Sequence, residues 1–444
     1  MADILQDKVA TFISLGCKLN FAENSFICDQ LESHGVRRAQ SGEKADICII
    51  NTCTVTEVAN HKSRQAIHKV VRENPEAFVV VMGCYAQTNA QVIAGMEGVD
   101  LVVGMEKKGQ IVELLQNGLS QLSEKNCQSH VFNTPRTEIA SFVPSCSRGT
   151  RTRYFIKVQD GCDYFCTYCA IPYARGRSRN GSIASLVEQA QKVSSEGGKE
   201  IVITGVNIGD FGKSTKENLL DLIQALDQVE GIQRYRISSI EPNLLTKEII
   251  DFCVQSRSFM PHFHIPLQSG SDGVLKLMHR KYDTHFFSDK INYIKEVFPD
   301  AFIGVDVIVG TRGETQELWQ ESYQFIESLN ISQLHVFSYS ERPGTAALRI
   351  PYIVDEKEKH RRSQALLRLS EEKRMAFYKQ FIGTKREILT EHSSQLIKGF
   401  TDNYIKVEVP QENTTNPFSN NCILEVKLEG FNAGKDALIG KIIS

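Results

Sequence analysis

Three cysteines fall within eight residues of the stretch "QDGCDYFCTYCAIPYARG": Cys162, Cys166 and Cys169, spaced C-x3-C-x2-C. Thiolates are the ligands of soft metals and of iron–sulfur clusters. Three of them hold three irons of a four-iron cluster and leave the fourth open, and an open position binds something that reacts. A closed zinc site takes four ligands. Here a second paired C-x2-C is missing and no histidine lies close by, which argues against zinc.

A second set is spread further apart. "KVATFISLGC", "ADICIINTC" and "AFVVVMGC" are short apolar runs that end at Cys17, Cys53 and Cys84. Helical patterns at 21–34 and 56–72 separate them. Continuous apolar strands alternating with helices predict a parallel sheet covered on both faces. Ligands of such sheets bind outside the carboxyl ends of the strands, where all three cysteines fall. The three therefore predict one site, with Gly16 and Gly83 allowing close backbone approach. Cys28, Cys48, Cys127, Cys146, Cys253 and Cys422 have no motif around them and read as small buried hydrophobes.

The elements that must position these residues divide the 444-residue chain into three parts. Residues 1–120 form the N-terminal parallel-sheet α/β domain, with a fourth strand at "VDLVVG". A polar stretch, roughly 120–150, reads as loop. Residues 148–380 repeat strands ("RYFIKV", "EIVITGV", "YRISSI", "HFHIPL", "FIGVDVIVG", "LHVFSYS") between amphipathic helices, which predicts a partial (βα)6 barrel. Residues 381–444 alternate apolar and polar between turn residues and predict a small antiparallel β-barrel. The class is α/β throughout the first two parts. Net charge is −2, so overall charge announces no nucleic-acid partner. No apolar run reaches the ~20 residues that span a bilayer, and "MADILQDKVATFISLGC" lacks a signal-peptide pattern. A cytoplasmic protein with reduced thiols is expected.

Cys162-x3-Cys166-x2-Cys169 after a barrel's first strand resembles the radical S-adenosylmethionine (SAM) superfamily. That resemblance implies a catalytic 4Fe-4S cluster whose open iron binds SAM and delivers one electron to cleave it. The three-part order, with "SLGCKLN", "NTCTVT" and "GCYAQ" ahead of the radical SAM core, resembles the methylthiotransferases over nearly the whole chain. The terminal barrel is similar to an RNA-binding TRAM domain, best at "IKGFTDNYIKVEV". The family implies a second, auxiliary 4Fe-4S cluster on Cys17, Cys53 and Cys84, and two SAM molecules per product. One SAM methylates sulfur; the other yields the radical that abstracts hydrogen from substrate. The two clusters must then face each other across the substrate. Residues around the cysteines look most like the branch that 2-methylthiolates N6-threonylcarbamoyladenosine at position 37 of tRNA. Branches acting on isopentenyladenosine in tRNA, or on an aspartate of a ribosomal protein, are the alternatives.

The resemblance also nominates a SAM pocket. Thr204 and Gly205 open "TGVNIG", Gln268 and Arg280 are polar candidates, and Tyr168 sits between two ligands. "SSIEP" (238–242) and "IPLQSGS" close two further strands, and Asp306 reads equally well as a hydrogen-bonded carboxylate. In "GVDVIVGTRGET", Thr311-Arg312 replaces the Phe-Pro usual before Gly-Glu-Thr. Seven Lys/Arg against two acids between Arg148 and Arg179, with Lys62, Arg64, Lys69 and Arg72, predict phosphate contacts with a tRNA anticodon stem-loop. A flavodoxin- or ferredoxin-type reductant is expected as a partner, no membrane, and a monomer.

Overall fold

The computed structural model describes residues 3–121, 129–147, 152–391, 396–410 and 420–443. Its N-terminal α/β domain carries six strands: β1 Val9–Ser14, β2 Arg37–Arg38, β3 Ile47–Thr52, β4 Phe78–Gly83, β5 Leu101–Val103 and β6 His130–Phe132. They pair in the order β2-β1-β3-β4-β5-β6, every pair parallel. The helices are α1 Lys18–Ser33, α2 Glu57–Glu73, α3 Cys84–Thr88, α4 Ala90–Ala94 and α5 Ile111–Gln121. α1 and α5 cover one face of the sheet and α2, α3 and α4 the other, so β3 and β4 are buried at every residue. Two strands were not anticipated. β2 is only two residues long, and β6 lies in the stretch expected to be loop, too short to display a period.

That stretch also supplies β7 Ser145–Cys146, antiparallel to the first barrel strand, β8 Arg153–Lys157. A short hairpin follows, β9 Gln159–Asp160 with β10 Arg179–Asn180, enclosing the cysteine loop and α6 Ile171–Arg175. The remaining barrel strands are β11 Glu200–Thr204, β12 Arg234–Ile237, β13 His262–Gln268, β14 Phe302–Val309 and β15 Gln333–Ser338. With β8 they make the six anticipated parallel strands, split into β8-β11-β12 and β13-β14-β15 and joined by a bridge between Ser239 and His264. Helices α7 Ile183–Ser195, α8 Leu219–Asp227, α9 Lys247–Gln255, α10 Asp272–Leu277, α11 Thr284–Val297, α12 Gln316–Ser328 and α13 Glu356–Lys379 back the sheet. Side chains of Ser182, Asn218, Thr246, Asp283, Thr315 and Asp355 accept the first free amides of six of them, which sets where each begins.

Period-two alternation assigns the two faces. Ile201, Ile203, Phe263, Ile265, Val305, Val307 and Leu334 pack outward against helices. Phe155 and Val202 point inward and meet Phe21 and Ala22 of α1, so the first domain's leading helix fills the open side of the barrel.

The terminal barrel has five strands, β16 Lys385–Glu391, β17 Ile397–Thr401, β18 Lys406–Val409, β19 Ile423–Phe431 and β20 Leu438–Ile442, closed in the order β16-β17-β18-β20-β19. All pairs are antiparallel except β18–β20. It plugs the N-terminal end of the larger barrel. Arg234 donates to the carbonyls of Phe400 and Glu387, and Arg236 to those of Asp402 and Thr401. Tyr404 stacks near His262, ring centroids 4.4 Å apart.

A buried ionic cluster ties the first domain to the barrel. Glu23 of α1, 2% exposed, accepts from Lys108, from Lys157 of β8 at 3.2 Å and from Arg175 of α6 at 3.1 Å. Asp160 accepts from Arg175 at 2.9 Å and lies 3.3 Å from both Lys157 and Arg179. These cations hold both carboxyls below the usual carboxylate range, against the opposing effect of burial. Breaking a buried pair strands its partners' charges, at about 3–5 kcal/mol. Glu23→Gln is expected to lower holoenzyme stability by about that amount and to expose the domain junction to protease. Chemical denaturation and limited proteolysis check this; a variant as stable and resistant as the parent contradicts it.

Candidate metal centre

Cys17, Cys53 and Cys84 lie at the C-terminal ends of adjacent strands β1, β3 and β4, as expected. Cys17 stands in the N-cap position of α1, Cys53 directly follows β3, and Cys84 opens α3. The preceding glycines have a more local reason than ligand access. Gly16 and Gly83 have φ of 96° and 101°. A Cβ on Gly16 would sit 2.8 Å from the Cys53 sulfur, and one on Gly83 2.5 Å from the Thr52 carbonyl oxygen. Side chains there would push the cysteine-bearing loops apart.

Cys162, Cys166 and Cys169 occupy the loop after β9. Gly161 (φ 71°) opens it, where a Cβ would strike the Arg177 carbonyl oxygen at 1.9 Å, and Phe165 turns it at φ 48°. Thr167 fastens the loop to the barrel by donating to the carbonyls of Met278 and Leu277, and its own carbonyl accepts from the Ala347 amide. Arg280 reaches in from after α10. It lies 3.1 Å from the Cys166 sulfur and 3.5 Å from the Tyr168 hydroxyl, and it pairs with Glu241 of the "SSIEP" stretch. Arg280 and Tyr168 are thus brought to the cysteines. Gln268 ends β13 at φ 69°, beside Leu267, whose carbonyl accepts from Tyr282, itself bonded to Arg280. Thr204 ends β11 and is buried, and its carbonyl accepts from the Val158 amide. Gly205 abuts the backbone and side chain of Gln159.

Burial pushes the thiols up, Cys53 to about 11 and Cys162 and Cys169 to about 12; Cys84 and Cys166 rise for the same reason. Among the described residues, only His264, Asp306 and His335 bring three ligand atoms within 4.8 Å of one another. The charge around the first trio suits thiolates. Four cations surround two carboxylates in the buried cluster, and the surplus lies beside thiols: Arg175 and Lys108 act on Cys84, and Cys84 and Cys17 act back on Arg175. Near the second trio, Asn243 donates to the Tyr164 hydroxyl while its buried Oδ1 has no hydrogen-bond partner, an acceptor open to a ligand. Both donor sets therefore fit iron–sulfur clusters, and the second fits an organic co-ligand beside it. The trios border one seam, because α6, which follows Cys169, packs on α3, which begins at Cys84.

Sequence reasoning missed the ionic cluster and misread part of it. The basic run ending at Arg179 is mostly internal: Lys157, Arg175 and Arg179 are buried, and Arg153 pairs with Glu391. Arg148 and Arg151, like Cys127, lie outside the described residues. Lys62, Lys69 and Arg72 are exposed on α2 as expected, whereas Arg64 is engaged by Tyr85 and Glu57. Arg312, standing where Phe-Pro was expected, donates to the carbonyls of Leu348 and Ile350 and so pins the loop after β15. Cys28, Cys48 and Cys253 are buried as expected, while Cys146 and Cys422 are only half-buried.

Residues 9–104 match the family described as "Uncharacterized protein family UPF0004", and residues 156–326 match the radical SAM superfamily. A threonylcarbamoyladenosine tRNA methylthiotransferase MtaB of Bacillus subtilis is 39% identical over 89% of each chain, and one of Aquifex aeolicus 37% identical over 90% of this chain and 96% of its own. A tRNA-2-methylthio-N(6)-dimethylallyladenosine synthase of Pelotomaculum thermopropionicum is 30% identical over 87% of this chain and 88% of its own. The fold is shared with the radical SAM methyltransferase TsrM of Kitasatospora setae, at a TM-score of 0.56 and 15% identity over 77% of each chain. With two open cysteine trios on one seam and these relatives over most of its length, the chain belongs to the radical SAM methylthiotransferase family, on its MtaB-type branch.

Proposed function

We propose that the chain transfers a methylthio group to C2 of N6-threonylcarbamoyladenosine at position 37 of tRNA, presented by the anticodon stem-loop. The observation that carries this reading is the pair of cysteine trios, each one ligand short of closure, on a single seam between the first domain and the barrel mouth. The MtaB-type relatives, more similar than the dimethylallyladenosine synthase, favour the threonylcarbamoyl substrate. In this reading residues 1–120 carry the auxiliary cluster, 148–380 the SAM chemistry and 381–444 an RNA-binding surface. A flavodoxin- or ferredoxin-type protein supplies electrons to a cytoplasmic monomer. Among the described residues no helix is long and apolar enough to cross a membrane.

Cys162, Cys166 and Cys169 would hold the catalytic 4Fe-4S cluster and Cys17, Cys53 and Cys84 the auxiliary one. When bound, these clusters and SAM supply the one-electron chemistry that opens an unactivated C–H bond and the sulfur that is transferred. The chain's own residues bind, orient and screen. Tyr168 and Gly205 flank the cysteine loop as walls of the SAM pocket, and Thr204 sets that wall's backbone. Gln268 adds a polar contact at the strand end. Arg280, held by Glu241 and Tyr282, keeps a positive charge on the Cys166 sulfur, where thiolate charge must be stabilised. The N-terminal α1 in the barrel's open side excludes water from the space between the trios. The target base must leave its stack to enter that space.

Nucleosides from a strain lacking the protein are expected to lose 2-methylthio-threonylcarbamoyladenosine and to accumulate its precursor, read by mass spectrometry. Loss of the isopentenyl analogue instead would move the chain to the other tRNA branch. Cys17→Ala and Cys162→Ala should each remove about half the iron, because each strips one of two clusters; an unchanged iron content would refute the ligand assignment. The raised thiol pKa values fix a pH dependence. Burial keeps Cys53, Cys84, Cys162, Cys166 and Cys169 protonated in the apo protein, and each must lose its proton on binding iron. Anaerobic reconstitution, followed by absorbance near the thiolate–iron bands, should therefore become more complete between about pH 6 and about pH 9.

A further inference from the structure

The inward face of the barrel opposite α1 is polar. His264, Asp306 and His335 stand on adjacent strands β13, β14 and β15, on the face away from the outer core. The His264 Nε2 lies 2.6 Å from an Asp306 carboxylate oxygen, and the two imidazole centroids are 4.8 Å apart. None of the three is fully buried; the His264 and Asp306 side chains are 21% and 16% exposed. Lys18 enters the same space from the first domain. It directly follows Cys17 and its Nζ is 5.9 Å from the ring of inward-facing Phe155; burial lowers its pKa while the Asp306 charge raises it, and burial together with the Lys18 charge lowers that of His335. Among the described residues no carboxylate lies within 4 Å of Lys18. A cation with no carboxylate partner among the described residues thus sits beside Cys17, facing a trio that offers hydrogen-bond acceptors and donors.

We propose that Lys18, with His264, Asp306 and His335, reads the threonylcarbamoyl group of the substrate and so sets which modified adenosine is accepted. The proposal rests on the reading above. Lys18 pairs the threonyl carboxylate; Asp306 and the imidazoles take the hydroxyl and urea N–H groups. An isopentenyl group would desolvate the same polar atoms and satisfy none, which is how a polar site rejects an apolar analogue. The trio alone has the spacing of a metal site. The positive charge of Lys18 beside it opposes a cation there and favours an anionic group.

The test uses reconstituted holoenzyme and two anticodon stem-loop RNAs, one carrying threonylcarbamoyladenosine and one its neutral carboxamide analogue. Wild type is expected to favour the carboxylate by about tenfold to a hundredfold in kcat/KM and to bind that RNA more tightly. Lys18→Met is expected to lose the preference by acting more slowly on the carboxylate RNA, with little change on the carboxamide. A merely structural role would slow both alike. A wild type indifferent to the carboxylate, or a Lys18→Met enzyme that keeps the preference, overturns the proposal. The wild-type comparison decides by itself if the variant fails to hold iron. Wild-type activity on isopentenyladenosine RNA but on neither of these would instead sink the substrate reading on which the proposal stands.

Discussion

The buried ionic cluster of Glu23, Asp160, Lys108, Lys157, Arg175 and Arg179 is the constraint on which the rest depends. Its charges are out of water, where unpaired ions are costly and paired ones are strongly directional. It draws on α1 and the segment before α5 from one domain, and on β8, β9, β10 and α6 from the other. No single domain can satisfy it. Its position explains why α1 lies in the open side of the barrel and why the two cysteine trios share a seam. The surplus of positive charge is equally pointed. It lies beside Cys84 and Cys17, so the seam favours negative charge there.

A second division of labour runs along the barrel axis. The C-terminal strand ends carry the cysteine loop, Arg280 and the N-terminal domain. The N-terminal ends are closed by the small barrel through Arg234 and Arg236, whose donors are taken by backbone carbonyls of 387 and 400–402. Between these ends the lumen is lined by charged and imidazole side chains rather than by the aliphatic layers of a solid barrel.

How much was legible beforehand follows from the physics of each signal. The cysteine-bearing strands of the first sheet are short, mostly apolar runs, which point to burial directly, and the six barrel strands are short runs with one apolar face between amphipathic helices. β2 and β6 are too short to carry a period. Gly16 and Gly83 were recognised, but their reason was not: positive φ and contact with a neighbouring strand are visible only in three dimensions. Arg280 was nominated and lies on Cys166.

The basic run before Arg179 shows the boundary most clearly. Counted along the chain it is a patch; folded, Lys157, Arg175 and Arg179 turn inward to Glu23 and Asp160, and Arg153 to Glu391. A sequence records that charges are present, but not which carboxylate, 134 or 152 residues away, will meet them. By itself the sequence determined the two cysteine patterns, their local spacing, the order of elements and hence the class of chemistry. Tertiary structure alone decided that the two trios share one seam, that α1 fills the barrel's side and that Lys18 faces His264, Asp306 and His335. Those outcomes depend on long-range pairing of buried charge, which no local pattern encodes.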